Sequence, residues 1–399
     1  MRLDHLPGDV HLTYCTNIHG GETWSEVRAS LNAHVPGIKA KVSPDAPMGL
    51  GLRLSAAATQ ELSTTAAFAQ LHDFLAEHDL YVFTINAFPY GSFHGTRVKE
   101  HVYQPDWFTP ERVAYTDQVA EILAKLLPVG MVGSISTVPG TFKSALRGAD
   151  GAQAMAANMA RHVARLLDIA RRTDREIVLA LEPEPCCFLE TIDETLAFFR
   201  DHVLSMATID LLARLAGVDA QVASAALRRH LGVCYDVCHG AVEYEDPAAA
   251  FAALDRADIR VAKLQLSSAL RLPSIDAASG AALTAFDDGV YLHQVVERRE
   301  GVIRRFVDLP PALAALQANG AGGEWRVHCH VPVFLETAGL LQSTQPTLRQ
   351  ALGCVRDRSV SPHLEVETYT WSVLPAPLRQ ASLVDAIAQE LHWVLRELG

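Results

Sequence analysis

Residues 231–244 read LGVCYDVCHGAVEY. The first five residues are an apolar run of strand length, and the run ends on the carboxylate of Asp236 with His239 three residues later. A buried strand that delivers a charged group at its C-terminal end is the pattern of a parallel barrel wall, whose chemistry sits at the strand ends. Taken alone, the Asp-x-x-His pair is weak evidence for a metal or catalytic site, because many such pairs merely cap a helix or bond to the backbone. The rest of the chain decides between them.

Moving outward from this stretch, short apolar segments alternate with longer helical patterns. Strand candidates are VHLTYCTN, MGLGLRLS, LYVFTINAF, MVGSISTV, EIVLALEPE, LGVCYDV, RVAKLQLSS, EWRVHCHV and HLEVETYTW. Helical patterns cover Thr59–His78, Pro110–Leu127, Gly151–Thr173, Asp246–Ala257, Pro310–Asn319 and Gln345–Val355, and 193–230 offers two more. Thr109 before Pro110 and Asp246 before Pro247 are helix-start signals. Such alternation predicts a parallel sheet, and about eight repeats predict one closed (β/α)8 barrel over residues 1–399. The strand candidates number nine, one more than a barrel holds. Residues 287–308 read as a hairpin outside the barrel and 267–288 as a long rim loop, so 267–308 is expected to be an insertion near the C-terminal rim.

The formal charge of −12 opposes nucleic-acid partners, no segment has the length of a membrane span, and the N-terminus lacks a signal-peptide pattern. The cytoplasm is the default expectation. The seven cysteines lack zinc-ribbon spacing and read as small buried thiols.

Side chains alternate along strands, so parity sorts them into two faces. Ile177, Leu179 and Leu181 suit the helix-facing side, leaving Val178, Ala180 and Glu182 inside. Cys234 and Asp236 oppose Val233 and Tyr235; Glu365 and Glu367 oppose Leu364 and Val366. Arg326, His328 and His330 oppose Val327, Cys329 and Val331; Lys263, Gln265 and Ser267 oppose Ala262, Leu264 and Leu266. The inner parity thus turns polar late in each strand. Carboxylates gathered on one rim repel and lose solvation, and a divalent cation among them is the economical remedy.

At these residues the chain resembles the xylose isomerase-like barrels of sugar phosphate isomerases, epimerases and apurinic endonucleases. LALEPEP, YDVCH and the late Glu of LEVETYTW carry the likeness in order. A narrower likeness, to the bacterial metabolite traffic family EboE, rests on NAFPYG, HCHVPVF, GLLQSTQ and HLEVETYTWSVLP. The resemblance implies Glu182, Asp236, a His and Glu367 as metal ligands, with His239 on the substrate side or as a second imidazole. The strand after YDVCH usually supplies the His, yet Gln265 stands there. Either His330, or alternatively His328, supplies the imidazole ligand from the HCH strand, or the site is weakened or empty.

Such a donor set suits Mn²⁺ or Mg²⁺, with Zn²⁺ as a further option. The chemistry implied is isomerisation or epimerisation of a polyol, sugar or sugar phosphate through an enediolate, with Glu182, Glu367 and His239 as catalytic groups. His19, Asn86, His94 and Lys143 follow other strands and, with Lys263 and Gln265, are expected to contact substrate. Two rival readings are a metabolite-binding barrel without turnover and a metal-dependent phosphodiesterase.

Overall fold

The computed structural model describes residues 1–94, 98–379 and 382–399. Seven short strands come first: β1 (His11–Tyr14), β2 (Met48–Arg53), β3 (Leu80–Asn86), β4 (Val132–Thr137), β5 (Glu176–Leu181), β6 (Leu231–Asp236) and β7 (Val261–Leu266). Six more form a separate sheet: β8 (Leu270–Leu272), β9 (Val295–Arg299), β10 (Val302–Phe306), β11 (Glu324–Val327), β12 (Thr337–Ala338) and β13 (Leu341–Ser343). The chain then returns to the first sheet as β14 (His363–Val366). That sheet runs β1-β14-β7-β6-β5-β4-β3-β2 with parallel neighbours, and a parallel bridge from Cys15 to Gly51 joins its two ends. The fold is a (β/α)8 barrel with an antiparallel insertion.

Local chemistry explains the elements. Thr109 accepts from the Arg112 amide ahead of Pro110–Leu126, and Asp246 accepts from the Ala249 amide ahead of Pro247–Arg256, as the cap signals require. The pattern over Thr59–His78 resolves into two helices, Ala56–Leu62 and Thr65–Glu77. The break falls where the Thr64 hydroxyl caps the second helix at the Ala67 amide. Ile177, Leu179 and Leu181 join the main core with helix residues such as Leu166 and Leu227, while Val178, Ala180 and Cys234 cluster together apart from it. Ala262 belongs to that second cluster, against the outward parity expected of it. The register explains why: Val233 pairs with Val261 and Cys234 with Lys263, so Ala262 is the extra residue of a bulge.

Gly51 marks a close approach. A Cβ there would lie 2.0 Å from the Glu365 carboxylate and 2.7 Å from the Tyr14 carbonyl oxygen, so the barrel interior admits Glu365 only beside a glycine.

The surplus strand candidate is EWRVHCHV. Its first four residues form β11, antiparallel to β8 and β9 and outside the barrel. The expected hairpin is β9–β10, turned by Glu300 and Gly301 at φ 51° and 82°, as a tight hairpin with two left-handed residues needs. The insertion is longer than expected, because its sheet continues from Leu270 to Ser343. The rim loop 267–288 is partly ordered into β8 and the helix Ala277–Leu283. Among the described residues no helix is long and apolar enough to cross a membrane.

Candidate functional site

β6 ends on Asp236, which caps the short helix Val237–Val242, so the capping role is real. It uses only one oxygen. Asp236 Oδ1 accepts from the His239 amide at 3.1 Å and the Ser267 hydroxyl at 2.6 Å. Oδ2 is buried without a hydrogen-bond partner among the described residues.

The same division recurs in its neighbours. Glu367, just past β14, has Oε1 held by the side-chain amides of Asn17 (2.7 Å) and Asn86 (3.2 Å). His330 Nδ1 donates to the Glu367 carbonyl oxygen at 2.7 Å, which leaves the Nε2 lone pair 3.9 Å from Asp236 Oδ2 and without a hydrogen bond. Glu182, just past β5, likewise has a buried, unpartnered Oε2. One carboxylate oxygen from each of Glu182, Asp236 and Glu367 lies within 4.8 Å of the others, and Asp236, His239 and His330 meet the same limit.

In Asp236 and His330 the ligand-capable atom is free while a fixed partner orients the rest of the side chain, and in Glu367 two amides hold one of the two oxygens. Metal sites are commonly built this way. Three orphaned acceptors aimed into one buried space would cost several kcal/mol without a cation or protons. The three carboxylates suit a divalent cation, and His330, grouped with Asp236 and His239, adjoins them through Asp236.

Two further imidazoles adjoin it. His239 Nδ1 donates to the Pro183 carbonyl oxygen at 2.9 Å, and His328 Nδ1 donates to Gln294 Oε1 at 2.7 Å. The Gln294 amide is oriented by its own donation to the Pro185 carbonyl oxygen at 3.2 Å. The remaining Nε2 atoms then face each other at 3.1 Å, lone pair to lone pair, an arrangement that calls for a shared proton or a cation. Glu184, held by the Tyr103 hydroxyl at 2.6 Å, completes a second group with these two rings.

Electrostatics agree with the geometry. Burial, and then the neighbouring carboxylates Glu367 and Asp236, push Glu182 well above the usual carboxylate range. Burial and then Asp236 and Glu365 do the same for Glu367. Burial also works against the Asp236 anion, but the His239 and His330 rings, the Ser267 hydroxyl and the His239 amide together hold it below the ordinary value. The ring contribution requires charged imidazoles. Burial lowers His239 to about 4, so it is neutral near pH 7 and the hydroxyl and amide donors are the dependable part. Burial and the adjoining imidazoles keep His328 neutral as well.

Glu182, Glu184, His239, His328, His330 and Glu367 line one cavity of about 540 Å³, counting its open mouth. Of the residues expected to touch substrate, Asn86 lines this cavity. The other five do not. His19 is paired with the Tyr14 hydroxyl at 3.0 Å and stacked on His34. His94 is held by the Asn17 carbonyl and the Tyr291 hydroxyl, behind the cavity wall. Lys143 is bound to Glu190 (2.7 Å) and Glu194 (3.2 Å) on the rim outside. Lys263 is fully buried in the barrel against Glu365, and Gln265 is buried there accepting from the Cys234 thiol at 3.1 Å. Both Lys143 and Lys263 are thus claimed by carboxylates.

Parity pointed to the carboxylates and to His330 but passed over Asn17, Glu184 and Gln294. Asn17 ends the VHLTYCTN segment, and Glu184 lies two residues past Glu182 across Pro183. Both signals were present in the sequence. Gln294 reaches the site only because the insertion folds over it.

No family model and no curated protein sequence matches the chain. Among solved structures it is similar to the 3-keto-D-glucoside 4-epimerase YcjR from E. coli, at 12% identity over 97% of this chain and 100% of that one, TM-score 0.47. It is similar to a xylose isomerase-like TIM barrel protein from Mycobacterium smegmatis in complex with magnesium, at 11% identity over 98% and 96%, TM-score 0.47. A third is an L-ribulose 3-epimerase, at 12% identity over 98% and 94%, TM-score 0.48. The (β/α)8 assignment itself stands on the strand order and closure of the chain's own sheet.

Proposed function

We propose that the chain is a divalent-metal-dependent isomerase or epimerase of a sugar or cyclitol. The reading is carried by one observation: Glu182, Asp236 and Glu367 converge within 4.8 Å while Glu182 Oε2, Asp236 Oδ2 and His330 Nε2 lack partners. Glu182, Asp236, Glu367 and His330 would hold the ion, Mn²⁺ or Mg²⁺ by the carboxylates, with the imidazoles also suiting Zn²⁺. When bound, the ion polarises neighbouring carbonyl and hydroxyl oxygens of the substrate.

The chain's own groups do the rest. Glu182 and Glu367 come from strands separated by β6 and β7 in the barrel wall, β5 and β14, and are the pair that removes and returns a proton beside the carbonyl. The Asn17 and Asn86 amides fix one Glu367 oxygen and so fix the direction of its other one. His239, neutral near pH 7, accepts a hydrogen bond from a substrate hydroxyl. The narrower likeness to the EboE family belongs to this reading as handling of a metabolite precursor in transit. A binding barrel without turnover draws its support from Gln265, which stands where the resemblance places a His. Metal analysis of protein purified without added metal, followed by aldoses, ketoses and cyclitols in D₂O, separates the readings. The proposal expects bound metal and deuterium incorporation beside a carbonyl; metal without exchange favours the binding barrel, and the absence of both overturns the metal-dependent enzyme.

A further inference from the structure

The cavity has two unlike ends. Its floor is the acidic and imidazole cluster, whereas its outer wall is built from Phe88, Phe93, Val98, Val102, Tyr291 and Leu292. Phe93, Val98 and Tyr291 form a hydrophobic cluster of their own, separate from the main core and joined by Tyr369. Three stretches of chain, following β3, preceding β9 and following β14, meet to make it. The rings of Phe93, Tyr291 and Tyr369 touch one another with centroids 5.0–5.3 Å apart, and Tyr369 lies 4.7 Å from the His330 ring. Apolar wall and candidate metal position are thus continuous.

Most polar groups on this wall are already engaged, the Tyr369 hydroxyl being without a hydrogen bond among the described residues. The Tyr291 hydroxyl is turned to His94 Nδ1 at 2.8 Å, and the Tyr103 hydroxyl donates to Glu184. The Lys99 ammonium, which also borders the cavity, is bound to Asp308 at 2.6 Å. A sugar hydroxyl lodged against Phe93, Val98 and Leu292 would give up water without a replacement partner among these described residues. An alkyl or aryl group there instead removes apolar surface from water on both sides. The wall is partly aliphatic, which suits such a group better than the stacking face of a second sugar ring.

We infer that the substrate is a polyol bearing an apolar alkyl or aryl substituent, with its oxygens on the acidic floor and the substituent against the Phe93–Tyr291–Leu292 wall. This rests on the metal-dependent polyol reading and extends it to substrate class. The test is calorimetry of the metal-loaded protein with free sugars and cyclitols, each paired with its mono-benzyl and mono-octyl ether. At least one pair is expected to show the ether binding about tenfold tighter or more, the gain from burying roughly one apolar ring. Phe93→Ala and, as the less buried alternative, Leu292→Ala should each shrink that ratio by about threefold or more. Metal content of each variant reports separately on the metal reading. If the protein binds metal and turns over free polyols with no preference for the ethers, the inference fails and the reading stands. If no ether binds, or if both variants keep the full ratio, the inference also fails.

Discussion

Lys263→Met should expose the cost of the ion pair at the centre of the barrel. Lys263 and Glu365 are both fully buried; the lysine also donates to the Ser136 hydroxyl at 3.2 Å. Burial works against the ammonium, but the Glu365 carboxylate more than offsets this and raises Lys263 above its ordinary value. Removing the lysine leaves a carboxylate with neither water nor a counter-ion. Breaking a buried pair in this way costs about 3–5 kcal/mol. Glu365→Gln, nearly isosteric and so no tighter against Gly51, should recover most of that loss when combined with Lys263→Met. The coupling energy between the two sites is then on the order of 3 kcal/mol. Chelator-treated protein unfolded in urea at pH 7 provides the measurement. Loss of less than about 1 kcal/mol, or additivity of the two substitutions, would refute the claim that the pair is shielded from water.

Three other outcomes are expected. Asp236→Asn should weaken metal binding ~100-fold or more, since outer-sphere partners alone carry ~10–100-fold, whereas His239→Gln should keep most of the metal and impair turnover. Metal analysis showing the reverse order would exchange their roles. Burial raises Glu184 to about 8 and Glu243, Glu245 and Glu390 each to about 7. Raised carboxyls stabilise the fold fully below their unfolded value and lose that contribution as pH climbs through 7–8. Chelator-treated protein should therefore be less stable at pH 8.5 than at pH 5.5; a rising urea midpoint over that interval would contradict it. Gly51→Ala places a Cβ 2.0 Å from the Glu365 carboxylate and 2.7 Å from backbone, and should cost about 3 kcal/mol or more in the same unfolding assay. Parent-like stability would show that the strand can shift to admit it.

The barrel was legible because alternation is a local signal. Strand parity put Glu182, Asp236 and Glu367 on one face, and parallel strands must bring such ends to one rim. Parity also held for His328 and His330, although regular strand structure stops at Val327. Val327, Cys329 and Val331 still sink into the insertion's own core and turn the two imidazoles the other way. What parity cannot see is depth along the barrel axis. Lys263 and Gln265 face inward as read, but lie among interior groups such as Ser136, Cys234 and Glu365. Nor can it see a bulge, which is why Ala262 was assigned to the wrong face. The extent of the insertion escaped because β8, β12 and β13 have only 3, 2 and 3 residues, too short for a periodic pattern.

The placement of β11 has a consequence for how such a site can change. The barrel supplies the carboxylates, while both HCH imidazoles arrive on a segment that belongs to another sheet. On the proposed reading, edits at His328 and His330 would change how soft the donor set is, and hence which ion it selects, while the acids stay on the barrel wall, tied to this segment through the His330 bond to the Glu367 carbonyl. By the same reading Glu182 and Glu367 serve both the ion and the proton transfer, so the imidazole contribution is the part open to drift or redesign apart from the barrel wall.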